Sequence, residues 1–492
     1  MLSSLSTRFR FFKTDGFIAL GLFFLGSLLF FWVATQFEST LRPIKDGYCR
    51  PIDAALMVLE GSFFPRSLWL PLTHWLTILL RPFTSSYYQA GSAVAILSGG
   101  GTISALYLFG NRLGGRTIGL MTSMIAVSLW PLIDVSSHSM TEPLSLFLVL
   151  MGILFFCERR FCFSGGFLSL ACLVRIEPLV VVFYLMALTL FRCFRNRSIR
   201  PEGQFLLCSL WGPLFCGFYY FSAFGSFLYP LEINQKLAIA EKELYSYEYI
   251  DILSWLFGSY SFVFVGIIFS LGAFSLFRAN HRYAREIASL GLFLLMWKCL
   301  LVVRQDLPSE PRYLLLSLIL LLPFSLHFVF SNLDKKWGYL CVALVFSSTL
   351  VKSISLFQDQ LRKKIEPSYF GIIEKVNHLD LKGRILLDAR DFNACFMFHK
   401  IRFSPQKLEK APDRIEKYII GKYVKKEDAR LINLVNYLKL EYVVLEKNYS
   451  RGLYNLIESY NEDVPDESKP FSVHRYGGND RFDLFKIESK DI

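Results

Sequence analysis

The sequence is poor in charged residues and lacks the short motifs that mark nucleotide-driven and zinc-dependent enzymes. Only 19% of its 492 residues are Asp, Glu, Lys or Arg. It contains no Walker loop, no Gly-x-Gly-x-x-Gly after a strand, no Cys-x-x-Cys pair and no His-Glu-x-x-His. These absences argue against ATP-driven transport and zinc proteolysis.

The ten cysteines have no paired spacing. Most of them lie within apolar runs, where a cysteine behaves as a small hydrophobic residue and not as part of a disulfide framework or a metal site. Cys49 and Cys395 are the two in polar surroundings, and nothing in the sequence supports or excludes their pairing.

Apolar residues are abundant instead. They make up 53% of the chain, with 48 Phe, a composition typical of multi-pass membrane proteins. The net charge of +12 comes from 53 Lys and Arg against 41 Asp and Glu. The cations are scattered between the apolar runs, which indicates cytoplasmic loops and argues against a nucleic-acid-binding face.

The apolar residues form runs of close to 20 residues, the length that crosses a bilayer as a helix. The first run, from about Phe17 to Val33, has no convincing cleavage site after it and predicts an uncleaved span. Further runs lie at roughly residues 88–110, 118–133, 141–157, 163–177, 178–191, 205–226, 256–277, 287–303, 313–330 and 337–355. The sequence therefore predicts about eleven spans.

The positions of Lys and Arg predict the orientation, because these residues are retained on the cytoplasmic side. With a cytoplasmic N-terminus, every inside loop carries at least two cations, such as Arg112 with Arg116. This agreement requires residues 163–191 to form two short helices with an outer bend at Arg175–Pro178. We therefore expect an integral, multi-pass protein of a bacterial inner membrane.

The C-terminal region, from about residue 358, is charged and has no long apolar run. Its segments GRILLDAR and EYVVLEK are typical of buried strands, and ARLINLVNYLKL has helical periodicity. We expect an α-helical membrane domain over residues 1–357, with a first outer loop over 36–87. A small extracytoplasmic α/β domain is expected over 358–492.

The first outer loop is longer and more charged than a connection requires. In RPIKDGYCRPIDAALMVLEG, Pro51 and Gly61 bracket a short predicted helix. Asp53 then falls in the first turn, where the helix dipole alone accounts for an acid. Asp46 precedes that helix with no cap to explain it, although Asp-Gly pairs are also common in turns. Asp46 is therefore the candidate functional acid of this loop.

A second polar group lies near the outer membrane boundary, in IDVSSHSMTEPL. Ser139 and Glu142 match a capping box, which would account for Glu142 structurally. Asp134 and His138 remain as polar groups at this boundary without such an explanation.

Two more segments place charge beside apolar helices. Arg175 and Glu177 would not face each other on a regular helix, but Pro178 predicts a break that lets both point into an outer cavity. The alternative is a structural ion pair. Arg304 and Arg312 could clamp a phosphate through forked hydrogen bonds. For Arg312, anchoring at the membrane interface is the alternative.

The order of these segments resembles that of a known family. KDGYCRPIDAALMVLEG and WLPLTHWLTILL are similar to the first outer loop of GT-C superfamily glycosyltransferases of the glycosyltransferase family 39 type, which include protein O-mannosyltransferases and aminoarabinose transferases. GNRLGGRTIGLMTSMIAVSLWPLIDVSSHSMTEPLSLFLVL, GGFLSLACLVRIEPLVVV and SEPRYLLLSLILLLPF resemble the segments that follow. The resemblance covers about residues 15–355. Many members have Asp-Glu where this chain has Asp46-Gly47, so a divalent metal at this position stays open.

The resemblance implies an enzyme that transfers a sugar from a polyprenyl-phosphate-linked donor to a lipid, glycan or protein acceptor at the outer face of the membrane. It implies Asp46 as the general base for the acceptor hydroxyl. It implies Arg175, Arg304 and Arg312 as the cations that receive the departing phosphate. The remaining candidates for donor or acceptor contacts are His74, His138, Glu142, Glu177 and Asp53.

A transporter or flippase for a lipid-linked or polar solute is the alternative function, since it too would have many spans and buried charges. Such a protein is expected to show internal symmetry, with Gly- or Pro-broken helices at matching positions of two halves. The sequence has no such pairing, and a transporter leaves the long first loop and the α/β domain without a role.

Overall fold

The structure is a computed structural model. It describes residues 2–37, 46–59, 61–65, 70–196, 203–227, 229, 232, 282–303, 311–362, 367–378, 384–388, 418–420, 440–446 and 471–489. The chain divides into two compact units. The first is formed by Met1–Glu38, Arg66–Leu76 and Gly91–Arg362, and the second by Ser39–Pro65, Thr77–Ala90 and Lys363–Ile492.

Helices dominate the described part of the chain. They are α1 (Leu2–Gln36), α2 (Asp46–Leu59), α3 (Pro71–Leu80), α4 (Tyr87–Gly114), α5 (Arg116–Val127), α6 (Trp130–Ser136), α7 (Glu142–Cys157), α8 (Phe161–Cys172), α9 (Pro178–Asn196), α10 (Gly203–Phe224), α11 (Arg282–Val303), α12 (Leu315–Asn332), α13 (Lys335–Arg362) and α14 (Pro367–His378). Short 3-10 helices at Arg81–Phe83 and Pro311–Leu314 precede α4 and α12.

Five of the described helices are long and apolar enough to cross a membrane: Thr14–Gln36 of α1, α4, Gly203–Ser222 of α10, α12 and α13. The bent pair of α5 and α6 makes a sixth candidate, and α7, α8 and most of α9 are shorter apolar helices. The predicted α-helical multi-pass membrane fold is confirmed. The count of eleven spans stays a prediction, and the run at 256–277 lies outside the described residues.

The predicted division of residues 163–191 into two helices is confirmed, since α8 ends at Cys172 and α9 begins at Pro178. A proline is favourable at a helix start because its missing N–H would have no partner there. The run at 118–133 is not one straight helix. It breaks after Val127 into α5 and α6, which meet at an angle of 71°.

Polar side chains of α13 stabilise this break between α5 and α6. The hydroxyl of Ser128 lies 2.6 Å from that of Thr349, and the hydroxyl of Ser353 donates to the Ser128 carbonyl at 2.5 Å. Inside a membrane protein, backbone groups freed by a broken helix need such partners because lipid supplies none.

The expected start of α2 is wrong. The helix begins at Asp46, and Pro51 lies inside it and not at its start. Asp53 is therefore the eighth residue of the helix, where the dipole at the N-terminus no longer accounts for an acid. The helix dipole instead accounts for Asp46, because Asp46 lies in the first turn of α2.

Three consecutive glycines let other helices approach α4 closely. A Cβ on Gly99 would lie 2.6 Å from the Cβ of Ser136 in α6, and one on Gly100 would lie 2.6 Å from the Phe23 carbonyl in α1. A Cβ on Gly101 would lie 2.9 Å from the ring of Phe147 in α7. Small residues at such crossings allow backbones within a membrane to pack closely.

The second unit contains a five-stranded sheet of β1 (Arg384–Asp388), β2 (Tyr418–Ile420), β3 (Leu440–Glu446), β4 (Phe471–Gly478) and β5 (Phe482–Ser489). The strand order is β2-β1-β3-β5-β4. β1 is parallel to both of its neighbours, whereas β5 is antiparallel to β3 and β4. The predicted strands in GRILLDAR and EYVVLEK are confirmed as β1 and β3. The helix predicted for ARLINLVNYLKL lies outside the described residues, except that its last residue begins β3.

Candidate functional site

A charged turn joins α8 to α9. The guanidinium group of Arg175 donates to both carboxylate oxygens of Glu177, from Nε to Oε2 at 3.0 Å and from Nη2 to Oε1 at 2.7 Å. The two side chains can meet because residues 173–177 are not helical, whereas residues two apart on a regular helix point away from each other. The structural ion pair between Arg175 and Glu177, which was the alternative to two charges pointing into an outer cavity, is therefore present.

Arg175 also contacts the first turn of α7. Its Nη1 donates to Glu142 Oε1 at 2.6 Å and to Thr141 Oγ1 at 3.1 Å. The expected capping box of Ser139 and Glu142 is wrong, because Thr141 is the cap residue of α7 and its side chain makes no capping hydrogen bond. The nearly buried carboxylate of Glu142 instead pairs with Arg175.

Lys298 belongs to the same group, although no sequence motif pointed to it. It lies in the last turns of α11, with Nζ 3.5 Å from Glu177 Oε1, and its side chain is buried. The available signal was a single cation in the apolar run FLLMWKCLLVV. A charge within such a run normally faces a cavity or a charged partner.

Arg312 is a second arginine close to Glu142. It lies in the 3-10 helix that precedes α12, and its Nη1 is 3.6 Å from Glu142 Oε1. Only 7% of Arg312 is exposed. An interfacial anchor would extend toward the lipid headgroups, so this burial favours a role beside Glu142 over membrane anchoring.

Glu142, Arg175, Glu177, Lys298 and Arg312, here called the charged cluster, line one cavity. The rest of its wall is formed by Ser145, Leu146, Leu294, Leu315, Leu316 and Ser317. The cluster holds three cations and two carboxylates, and therefore one net positive charge. A cavity with apolar walls and an excess of cations is suited to an amphipathic anion.

Glu177 is a fixed negative charge within the cluster. Burial disfavours its ionised form, but Arg175 and Lys298 outweigh burial and hold the pKa of the Glu177 carboxyl far below its usual range. A general base needs a pKa near the working pH. This favours Glu177 as a partner that orients Arg175 over Glu177 as a proton acceptor.

A second set of ion pairs lies at the other ends of the same helices. Glu158, just after α7, accepts a hydrogen bond from Arg112 at 2.6 Å. Arg192 near the end of α9 pairs with Glu286 near the start of α11. Arg112 and Arg192 are cations expected at the cytoplasmic side. The charged cluster therefore lies at the ends of α7, α9 and α11 that are opposite to these cations.

The two candidate histidines are buried and bonded within their own segments. His138 Nδ1 lies 2.8 Å from the Asp134 carbonyl and 3.4 Å from its Oδ1. His74 Nδ1 lies 3.0 Å from the Leu70 carbonyl. Neither histidine lines the cavity of the charged cluster, and substrate contacts by either residue stay a prediction.

The remaining candidates are not placed at this cavity. Asp46 and Asp53 belong to α2 in the second compact unit, where Asp53 is half-buried and the side chain of Asp46 lies outside the described part of the chain. Arg304 also lies outside the described residues. The general base and the additional phosphate contact therefore stay predictions.

Metal binding finds no support in the charged cluster. Among the side chains that the structure describes, no three or more His, Cys, Asp or Glu are grouped to hold a metal ion. Both carboxylates of the cluster lie against guanidinium or ammonium groups, which would also repel a divalent cation.

Solved structures resemble nearly the whole chain. ArnT from Cupriavidus metallidurans in the apo state gives a TM-score of 0.59 over 96% of this chain and 98% of ArnT, at 12% identity. The same protein bound to undecaprenyl phosphate gives 0.60 over 95% of this chain and 97% of ArnT, at 11% identity. The chain has the GT-C fold.

The GT-C fold is the fold that the order of the sequence segments predicted. The oligosaccharyltransferase of Archaeoglobus fulgidus has it as well, with a TM-score of 0.52 over 95% of this chain and 73% of that protein, at 10% identity. No protein-family model and no curated protein sequence matches the chain. At such low identity the likeness shows the GT-C fold alone.

Proposed function

We propose that the chain is an integral-membrane glycosyltransferase that takes its sugar from a polyprenyl-phosphate-linked donor. The observation that carries this proposal is the convergence of Arg175, Lys298 and Arg312 on one cavity within a GT-C fold. A lipid-linked phosphate has an apolar tail and an anionic head. It therefore suits a cavity in which leucines alternate with cations.

The cations are suited to the leaving group of the transfer. When the sugar leaves, the phosphate of the carrier gains negative charge, and preorganised cations stabilise that charge most in a site that excludes water. Lys298 offers a point charge, and Arg175, whose planar fork is bonded to Glu177, contributes a fixed, delocalised positive charge. Glu142 and Glu177 hold Arg175 in place and keep the site from carrying three uncompensated positive charges before the donor binds.

The proposed reaction is a direct displacement. The acceptor hydroxyl oxygen forms a bond to the anomeric carbon while the bond from that carbon to the phosphate oxygen breaks. The polyprenyl phosphate leaves with the electron pair, and Asp46 takes the hydroxyl proton. Attack opposite the leaving group inverts the anomeric centre, and base catalysis of this kind contributes about 10²–10⁴-fold.

The proposed site faces the outer side of the membrane, with the N-terminus in the cytoplasm and the α/β domain of residues 358–492 outside. The separation of the charged cluster from Arg112 and Arg192 along shared helices supports this orientation. The acceptor is a lipid, a glycan or a protein, and the α/β domain is proposed to help bind it.

Undecaprenyl phosphate is the first probe of the carrier site. The full-length protein in detergent is expected to bind this lipid, and Lys298→Met is expected to bind it about 10-fold more weakly through the loss of one charge-assisted hydrogen bond. Lys336→Met is the matched control, because Lys336 is exposed at the start of α13. Equal binding by the wild type, Lys298→Met and Lys336→Met would show that the charged cluster does not bind the lipid phosphate.

The transfer itself is tested in cells that lack the protein and regain it as wild type or as Asp46→Asn. Mass spectrometry of envelope lipids, glycans and proteins is expected to show one sugar that only the wild type restores. A transporter would show a different result, with donor accumulating on one side of the membrane while transfer in opened membranes continues normally. Full restoration by a folded Asp46→Asn variant would rule out Asp46 as the base.

A further inference from the structure

Two cysteine side chains meet near the starts of α8 and α10. Cys162 is the second residue of α8, and Cys208 is the sixth residue of α10. Their sulfur atoms are 3.3 Å apart, and both thiols are free. Neither residue lines the cavity of the charged cluster, so the proposed sugar transfer gives this pair no role.

The two helices are in close contact on both sides of the pair. A Cβ on Gly165 would lie 2.7 Å from the Cβ of Cys208, and one on Gly212 would meet the carbonyl of Ser169. The Gly212 N–H donates to Ser169 Oγ at 2.5 Å. Backbones held this close allow facing residues to reach the Cβ separation of about 3.5–4.5 Å that a disulfide requires.

The surroundings of Cys162 favour reaction there first. Its side chain is exposed, and it lies in the first turn of α8, two residues after Arg160. Helix N-termini and neighbouring guanidinium groups form the electropositive, accessible environment in which reactive cysteines are found. Cys208 is less exposed, and its sulfur is 3.3 Å from that of Cys162, so it can act as the second thiol that resolves an oxidised Cys162.

We infer that Cys162 and Cys208 form a redox-sensitive pair, which hydrogen peroxide converts into an intramolecular disulfide. The Cys162 sulfur attacks one peroxide oxygen, the O–O bond breaks, and a sulfenic acid and one water form. The Cys208 sulfur then attacks the Cys162 sulfur, the S–O bond breaks, and a second water leaves with the Cys208 proton. The two sulfurs are oxidised and the peroxide is reduced.

Little movement is needed to form this bond. The sulfurs must approach from 3.3 Å to about 2.0 Å, a shift that side-chain rotation can supply without moving the helices. The bridge would tie α8 covalently to α10. Because α8 leads into the turn of residues 173–177, the bridge would also restrain the helix that positions Arg175.

The pair is tested on the full-length protein in detergent. The reduced protein is treated with hydrogen peroxide, the remaining thiols are alkylated, and its peptides are analysed by mass spectrometry with and without dithiothreitol. We expect a peptide pair linked through Cys162 and Cys208, in monomeric protein, that dithiothreitol separates. Recovery of both cysteines as alkylated thiols or as sulfinic acids would overturn the inference, as would a link from Cys162 to a different cysteine.

Serine variants provide the controls. Cys341→Ser, at a half-buried cysteine of α13, is expected to keep the linked peptide pair, whereas Cys162→Ser and Cys208→Ser lose it. Each variant is first compared with the wild type for monodisperse elution, and Cys208→Ala replaces Cys208→Ser if the serine at this half-buried position prevents folding. A linked pair that persists in folded Cys162→Ser would show that other thiols form the bridge.

Discussion

Arg175 and Glu177 are two residues apart in the sequence and bond at two points, from Nε at 3.0 Å and from Nη2 at 2.7 Å. This fork fixes the plane of the guanidinium group and leaves Nη1 for Glu142 at 2.6 Å. A lysine could not reproduce it, because an ammonium group has neither the plane nor the fork. The pair therefore orients the central cation of the proposed phosphate site.

Arg175→Met should destabilise the protein markedly. It leaves the largely buried carboxylates of Glu142 and Glu177 without their principal partner, and removing one member of a buried ion pair costs on the order of 3 kcal/mol. Arg175→Lys should recover only part of this. Thermal unfolding in detergent measures both changes. Arg160→Met, at an exposed ion pair with Glu158, should unfold close to the wild type. Equal unfolding temperatures for all variants would contradict the structural importance of the fork.

Glu177→Gln should tighten the binding of undecaprenyl phosphate. The substitution removes one carboxylate that competes with the lipid phosphate for Arg175 and Lys298, and raises the net charge of the cluster. A gain of about 1 kcal/mol would lower Kd about 5-fold. Titration of the purified variant with the lipid measures this effect. Weaker binding would contradict this prediction. It would show that the orientation of Arg175 by Glu177 favours lipid binding more than the competition of Glu177 with the phosphate disfavours it.

The stability difference between the wild type and Glu177→Gln should not depend on pH between about 5 and 8. The pKa of Glu177 is lower in the folded state than in the unfolded chain, where a glutamate has a value of about 4.3. A depressed pKa contributes stability that is fully present above the unfolded value and is lost only as pH falls toward the folded value. Unfolding temperatures of both proteins across this range provide the measurement. A difference that shrinks between pH 8 and pH 6 would show that Glu177 titrates near neutrality.

Gly100→Ala should destabilise the packing of α1 on α4. The new methyl group would meet the hydroxyl of Ser27 and lie 2.6 Å from the Phe23 carbonyl, and overpacking of this kind costs about 1–3 kcal/mol. Gly166→Ala is the matched control, because a Cβ at Gly166 meets nothing within 4 Å. Alanine should be neutral or slightly favourable there, since it is a better helix former than glycine. The two variants are compared by thermal unfolding, and similar effects would contradict the close approach at Gly100.

Several features of the site were predictable from local sequence. The run around LVRIEPLV indicated a break before Pro178 with Arg175 and Glu177 beside it, and the structure has α8 ending at Cys172 and α9 starting at Pro178. Arg312 was a candidate because it directly precedes an apolar run. These signals are local, since a proline or an isolated charge restricts its own segment whatever surrounds it.

Other features could not be derived from local patterns. The spacing of Ser139 and Glu142 fits a cap, yet Glu142 pairs with Arg175, because a charged partner from the turn between α8 and α9 stabilises a buried carboxylate more than a local cap would. Lys298 is far from Glu177 in sequence, and only the packing of α11 brings its ammonium group within 3.5 Å. The helix start at Asp46 likewise required the structure, because Pro51 indicated a later one.

By itself, the sequence determined that this is a multi-pass helical membrane protein with a charged C-terminal region and an order of segments that resembles GT-C enzymes. It could do so because apolar run length, proline positions and the distribution of cations act on each segment separately. Only the tertiary structure decided which charges share a cavity. Buried ionised groups must find partners from whichever helices pack beside them, and that choice depends on the whole arrangement of helices.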